Sequence, residues 1–193
     1  EDAVASAAIA RQGALAQRYA LEVFESPTGA DATIDALRAS MSIATDVEVA
    51  DAVETLECWE LAIRSRRAPS LLALSRQAVP QLRTTGEENL SARGAYVIRR
   101  FGESRDVTLI ATGTEVALAV EAAEALHAKG HGVAVVSMPS WELFDAQAPD
   151  YRAEVLGAAP RIAVEAASKL GWTRYVASED DVIGMDGFGA SAP

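Results

Sequence analysis

Residues 106–140 read DVTLIATGTEVALAVEAAEALHAKGHGVAVVSMPS, and this stretch decides the fold. Two apolar runs, at 107–111 and 133–136, have the length and composition of buried strands. The segment between them is rich in Ala and Glu, follows the turn Thr112-Gly113 and stops at a Lys-Gly-His-Gly sequence, which is typical of a helix. Strand, helix and strand in this order predict a βαβ unit with parallel strands. Because parallel strands need cover on both faces, we expect an α/β domain around a mostly parallel sheet.

The regions on either side continue the α/β pattern. Upstream, apolar spacing predicts helices over 1–24, 32–41 and 51–67, and strands within 42–50 and over 70–75. Residues 79–106 bring Pro, Gly and many charges, which predict a linker with a short strand at 95–99. Downstream we expect, in order, a loop at 139–149, a helix at 150–156, a strand at 161–166, a short helix at 172–177, a strand at 182–185 and a terminal loop at 187–193.

The composition excludes several classes of function. Acidic residues number 28 against 17 basic ones, a net charge of −11, which opposes binding to nucleic acid or to an anionic membrane. The single cysteine, Cys58, cannot form an internal disulfide and favours a reducing compartment. No secretory leader and no apolar run near the ~20 residues of a membrane helix is recognisable. We therefore expect a cytoplasmic protein.

For most residues whose side chains could bind a ligand or react, the sequence favours a structural role. The turn Thr112-Gly113-Thr114 could offer backbone N–H groups to an anion, but it lacks a glycine-rich fingerprint, so a structural turn is favoured. His127 and His131 are four residues apart, but glycines interrupt the helix that would align them for a metal. For Cys58 we favour a buried, inert thiol.

The same holds for the acidic cluster and the tryptophans. The sequence Glu179-Asp180-Asp181 favours a charged turn over a cation site. Trp59, Trp141 and Trp172 favour core or interface positions over a platform for stacking bases.

Arg76 has the position of a ligand-binding residue. It follows the predicted strand at 70–75, and ligands of parallel sheets bind at the carboxyl ends of the strands. The planar guanidinium suits a phosphate or a carboxylate. Position alone favours a structural ion pair and leaves ligand binding open.

Specific sequences beyond these patterns resemble transketolase. They occur in the family's order and spacing over about residues 46–193, and SMPSWELF with GMDGFGASAP is the most specific pair. The matching segments are DAVETLECWELAI (51–63), APSLLALSRQAVPQLR (68–83), DVTLIATGTEVALAVEAAEAL (106–126), VSMPSWELFDAQ (136–147), YRAEVL (151–156) and VIGMDGFGASAP (182–193).

The resemblance implies a division into domains. Residues 46–83 are similar to the end of the pyrimidine-binding middle domain, and 106–193 to the C-terminal domain without its last helix. Residues 84–105 would form the linker, and the mostly helical segment 1–45 stays unassigned. The implied C-terminal domain is a three-layer αβα structure with a mostly parallel sheet, preceded by a partial α/β segment.

The resemblance also implies a chemistry. Transketolases bind thiamine diphosphate and a divalent metal, magnesium or calcium, between an N-terminal domain and the middle domain of the other subunit. As homodimers they transfer two-carbon ketol units between sugar phosphates. Arg76, in the sequence SRQ, matches the arginine that binds the terminal phosphate of the substrate.

The chain departs from the family where the cofactor binds. Nothing in it matches the N-terminal domain, the metal ligands or the cofactor-activating glutamate, and Gly29 stands where a GPTHQP sequence would supply a catalytic histidine. We therefore expect no catalytic, cofactor-binding or metal-binding residue here and no activity from the isolated chain. The expected partners are sugar phosphates and either a second copy or the missing transketolase domains. The alternative is a truncated or diverged module with a non-catalytic role in binding or dimerisation.

Overall fold

The computed structural model describes residues 45–66, 69–75, 78–84, 86 and 88–186. The helices predicted over 1–24 and 32–41, the loop at 187–193 and the candidate Arg76 lie outside the described residues.

A small parallel sheet begins the described chain. Strand β1 (Thr45–Glu48) pairs in parallel with β2 (Ser70–Ala73), and helix α1 (Ala52–Arg64) connects them. Leu72 of β2 packs on Val49 and Cys58, which attaches the strand to the helix. The strands and the helix predicted for this region are therefore present, with tighter boundaries.

A five-stranded sheet forms the centre of the fold. Its strands are β3 (Tyr96–Phe101), β4 (Val107–Ala111), β5 (Val133–Ser137), β6 (Arg161–Ser168) and β7 (Val182–Met185). The spatial order is β3-β5-β4-β6-β7, and every neighbouring pair is parallel except β3 with β5. Helix α2 (Glu115–His127) joins β4 to β5, which confirms the predicted βαβ unit.

Two apolar clusters lie on the two faces of this sheet. On one face Leu109 of β4 packs with Val116 and Ala119 of α2. On the other face Ile110 packs with Phe144 and Trp172. This second layer contains α3 (Trp141–Asp145), α4 (Pro149–Leu156) and the 3-10 turn Trp172–Arg174. Because successive strand residues point to opposite faces, a continuous apolar run supplies both clusters, and the three-layer α/β architecture follows.

The structure corrects the loop predicted at 139–149. Helix α3 occupies part of it, because the Ser140 side chain accepts a hydrogen bond from the Leu143 N–H (3.4 Å) and caps the helix. The stretch predicted as a linker, 84–105, includes β3, which is longer than the strand expected at 95–99 and pairs with β5. The helix expected at 172–177 is one 3-10 turn, Trp172–Arg174.

The edge strand β7 exposes apolar side chains. Val182 packs in the cluster with Trp172. Because side chains alternate along a strand, Ile183 lies on the opposite face of the sheet, the face on which α2 packs against β4. Ile183 is 63% exposed and Met185 39%. An exposed apolar edge strand is a surface that proteins usually cover or blunt.

Gly94 is required by a close backbone approach, and this generates a prediction. Its φ is +77°, and an added Cβ would lie 2.1 Å from the Phe144 backbone nitrogen and 2.5 Å from the Ser140 carbonyl oxygen. Gly130 is a matched control, because its φ is +93° but nothing lies within 4 Å of the added Cβ. We expect Gly130→Ala to lower the free energy of unfolding by about 1–2 kcal/mol through backbone strain. Gly94→Ala should cost roughly 1–3 kcal/mol more through overpacking.

Urea unfolding of both variants measures this difference. Equal losses of stability in Gly94→Ala and Gly130→Ala would show that the contact with the start of α3 is not restrictive.

Candidate functional site

Asp51 ties the start of α1 to a distant segment. Its Oδ1 accepts a hydrogen bond from the Glu54 N–H (2.9 Å), which caps the helix. Its Oδ2 accepts from the N–H groups of Leu82 (3.1 Å) and Arg83 (2.8 Å). The charge pattern predicts an acidic residue at the start of this helix, but not the second contact.

Glu54 connects α1 to the large sheet. Its Oε1 accepts hydrogen bonds from the hydroxyls of Tyr96 on β3 (2.6 Å) and Ser137 on β5, and its Oε2 accepts from the Ala50 N–H (2.7 Å). The side chain is fully buried. Burial raises the pKa of Glu54, although these hydrogen bonds oppose the shift in part.

Glu57 and Arg83 form a buried ion pair beside it. The two guanidinium NH₂ groups donate to the two carboxylate oxygens at 2.7 and 2.8 Å, a bidentate geometry. Glu57 also accepts from the N–H (3.0 Å) and the hydroxyl (2.7 Å) of Ser91. Burial disfavours the charge of Arg83, but the hydrogen bonds and charge interactions with Glu57 and Tyr96 together outweigh this and raise its pKa.

These contacts form one buried polar network, because Arg83 also lies over the Tyr96 ring at 4.9 Å and donates to its hydroxyl at 3.2 Å. We use the name "junction network" for its members: Asp51, Glu54, Glu57, Arg83, Ser91, Tyr96 and Ser137. The carboxylates of this network already accept hydrogen bonds, and these carboxylates are shielded from solvent. The junction network therefore positions structure and does not meet a substrate.

The junction network positions the carboxyl ends of β1 and β2. The backbone N–H of Glu48, the last residue of β1, donates to the Pro139 carbonyl just after β5 (3.0 Å). The small sheet therefore ends beside the carboxyl end of the large sheet. Arg76 follows the last residue of β2 by three positions in the sequence and lies outside the described residues.

The turn before α2 does not have the charge of an anion site. A Cβ on Gly113 would lie 3.5 Å from a Glu48 carboxylate oxygen and 3.7 Å from one of Glu115. The Thr114 hydroxyl donates a hydrogen bond to the Glu115 carboxylate (2.6 Å) and does not cap the helix. Two carboxylates at this turn oppose an anionic ligand, which favours the structural interpretation.

The metal candidates are engaged in local contacts. His127 Nδ1 lies 3.2 Å from the His131 carbonyl oxygen, and Asp181 forms a capping box with Ser178. Within the ranges of the chain that the structure describes, no three His, Cys, Asp or Glu side chains converge where they could hold a metal ion. These residues thus offer no fit for the divalent metal of the family. None of the described helices is long and apolar enough to cross a membrane.

Two of the three tryptophans lie in an aromatic cluster of the core layer. The Trp141 ring lies edge-on to Trp172 at 5.0 Å and to Tyr175 at 5.4 Å. Trp172 is 1% exposed, whereas Trp59 on α1 is 40% exposed. Cys58 is fully buried and burial raises the pKa of its thiol, which disfavours the reactive thiolate.

Fold and site together define a class of protein: a three-layer α/β domain on which a small unit of one helix and two parallel strands is docked through buried charges. Residues 94–193 match the family model described as the transketolase-like TK C-terminal domain. The chain belongs to the transketolase family and corresponds to the C-terminal portion of these proteins.

Individual relatives extend this match upstream of residue 94. The chain is 58% identical over 146 residues to the transketolase of Sinorhizobium medicae, covering 75% of this chain and 21% of that protein. The structure of transketolase from Leishmania mexicana superposes with a TM-score of 0.70 at 41% identity, covering 83% of this chain and 23% of that chain. The chain thus spans about a fifth to a quarter of the length of such relatives.

A further neighbour is described as a split gene transketolase, inactive β4 tetramer. It superposes with a TM-score of 0.50 at 28% identity and covers 62% of this chain and 38% of that one.

The ion pair between Glu57 and Arg83 generates a prediction about stability. Arg83→Met should lower the free energy of unfolding by about 3–5 kcal/mol, because it leaves the Glu57 carboxylate buried without its counter-charge. The control is Arg93→Met, which removes an exposed pair with Glu88 (2.6 Å) and should cost about 1 kcal/mol or less. Urea unfolding measures both, and similar losses would contradict a special role for the buried pair.

Glu54 generates a prediction about pH. Because its folded-state pKa is raised above 4.5, the folded state holds this proton more tightly than the unfolded state does. Its contribution to stability is therefore full below pH 4.5 and is lost as pH rises through the raised pKa. We expect the stability of the unmodified chain to fall relative to that of Glu54→Gln between pH 4.5 and a pH above the raised pKa.

Unfolding in urea at the two pH values gives this difference. A parallel pH dependence in the unmodified chain and Glu54→Gln would contradict the assignment.

Proposed function

We propose that the chain is the C-terminal portion of a transketolase-type enzyme that transfers two-carbon ketol units between sugar phosphates. The observation that carries this proposal is the similarity itself, which reaches 58% identity over 146 residues, 75% of this chain. The proposed partners are sugar phosphates, together with a second copy of the chain or the missing transketolase domains. The reducing environment favoured by a lone, buried cysteine agrees with a cytoplasmic location.

As an isolated chain the protein is proposed to be inactive. In the family the cofactor binds between an N-terminal domain that this chain does not match and a middle domain of which it matches only the end. The chain covers 21% of its relative from Sinorhizobium medicae. The neighbouring split gene transketolase, described as an inactive β4 tetramer, is a case in which part of a transketolase assembles without activity. Binding of thiamine diphosphate with magnesium or calcium would require residues beyond the 193 of this sequence.

Arg76 is the proposed binding residue for the substrate phosphate. Its place after β2 supports this role, because the junction network and the bond from Glu48 to Pro139 fix the neighbouring strand ends. A guanidinium at such an edge can bind a phosphate through two parallel hydrogen bonds.

The alternative is a module that binds or dimerises without catalysis. The exposed Ile183 (63%) and Met185 (39%) on β7 favour it, because an apolar edge of this kind is suited to pairing with another surface. Both proposals allow a homodimer, so the oligomeric state alone does not separate them.

Calorimetric titration separates the two proposals. We expect no binding of thiamine diphosphate with Mg²⁺, and weak binding of xylulose 5-phosphate that Arg76→Ala weakens by roughly tenfold or more. Arg100→Ala is the matched control, because Arg100 is an exposed arginine on β3, and it should bind as the unmodified chain does.

Each outcome has a distinct meaning. Binding of thiamine diphosphate would contradict the inactive isolated chain and point to a site within residues 1–44. Sugar-phosphate binding that survives in Arg76→Ala would remove Arg76 from the site. No binding of either compound would favour the non-catalytic module.

A further inference from the structure

A cleft of 480 Å³ opens on the second layer of the domain, and no residue of β1 or β2 lines it. The end of α3, one side of α4 and the residues Arg174 and Tyr175 form its walls. Its volume lies in the range of pockets for small molecules. Neither the junction network nor Arg76 contributes to it.

One of its two arginines is held in place by neighbours. Arg174 donates to Asp145 Oδ2, and the Tyr175 hydroxyl donates to Asp145 Oδ1 (3.0 Å). The Arg174 guanidinium also lies 5.9 Å from the centre of the Tyr175 ring. These contacts orient the Arg174 guanidinium at the wall of the cleft. Because the side chain is 56% exposed, some of its N–H donors remain accessible.

The other arginine has an unsatisfied donor. Arg152 projects from α4, and its Nε is buried with no hydrogen-bond partner in the part of the chain that the structure describes. Buried donors are nearly always satisfied, so a group of this kind calls for a partner that the chain does not supply. Arginine presents Nε and one NH₂ side by side, which matches the two oxygens of a carboxylate or a phosphate.

Charge and shape select the kind of partner. Two arginines against the single carboxylate of Asp145 make this lining cationic, in a chain whose net charge is −11. The remaining wall is apolar and includes Phe144 and Leu156. A ligand that fits both parts carries an oxyanion at one end and an apolar or ring-shaped body at the other.

We propose that this cleft binds a small organic oxyanion, a carboxylate or a phosphate monoester, with the oxyanion on Arg152 and Arg174 and the body against Phe144 and Leu156. This site goes beyond the proposed function and does not depend on it. Arg152 is the binding residue whose loss should matter most, because its Nε has no other partner.

Titration calorimetry on the full chain tests the site with three probes: phenyl phosphate, benzoate and inorganic phosphate. We expect phenyl phosphate, benzoate or both to bind, and phenyl phosphate to bind more tightly than inorganic phosphate because of the apolar wall. Arg152→Gln should raise the dissociation constant roughly tenfold or more. Arg100→Gln, at an exposed arginine on β3, should leave it unchanged. Affinity that falls in Arg76→Gln instead would assign the binding to the proposed sugar-phosphate site.

Thermal unfolding gives the second readout. Because Arg152 Nε makes no native hydrogen bond, Arg152→Gln should keep the melting temperature of the unliganded chain and lose the increase that phenyl phosphate gives. A preference for phenyl phosphate or for benzoate identifies which oxyanion the cleft takes.

Four results would overturn the proposal. In the unmodified chain these are a failure of both organic probes to bind, or equal affinity for inorganic phosphate and phenyl phosphate. In the variants they are a loss of affinity in Arg76→Gln but not in Arg152→Gln, or an Arg152→Gln variant that melts at a lower temperature without ligand and keeps its affinity.

Discussion

Two carboxylates of α1 are buried where the helix packs against the large sheet, and distant segments of the chain donate hydrogen bonds to each of them. Glu54 meets Tyr96 and Ser137, and Glu57 meets Arg83. Buried charges contribute little net stability, because desolvation offsets most of their attraction. A shifted α1 would, however, leave both carboxylates buried without donors, which costs several kcal/mol. The junction network therefore selects one position of α1 and excludes others.

That selection explains how the short N-terminal part of the described chain keeps a defined place. Within the described part of the chain the small sheet has two strands, β1 and β2, which is too few to be stable alone. Asp51 joins α1 to the backbone of Leu82 and Arg83, and Glu48 is bonded to Pro139. Polar contacts of this kind locate the carboxyl end of β2 relative to the large sheet, and the proposed role of Arg76 requires such a location.

The arginines of the chain illustrate two uses of one side chain. Arg83 has a bidentate carboxylate and an aromatic ring as partners, so its charge is satisfied within the protein. Arg152 has a buried Nε that finds no hydrogen-bond partner among the described residues, in a cleft with a second arginine. The first arrangement stabilises a contact between segments, whereas the second leaves a donor for a ligand. Residue type does not distinguish the two sites, because both residues are arginines.

The sequence by itself determined the βαβ unit, the parallel strands and the beginning of α1, because these depend on local periodicity, caps and turns. The specific sequences also identified the family. Only the tertiary structure decided that β3 forms an antiparallel edge of the sheet, that α3 begins at a capped Ser140, and that Glu54 meets Ser137, 83 residues away. The spacing of Asp51, Glu54 and Glu57 predicts that the three acidic residues share one helix face. It does not predict which groups lie opposite that face. Contacts between distant residues follow from how the layers pack, and no local pattern encodes which donor will meet which carboxylate.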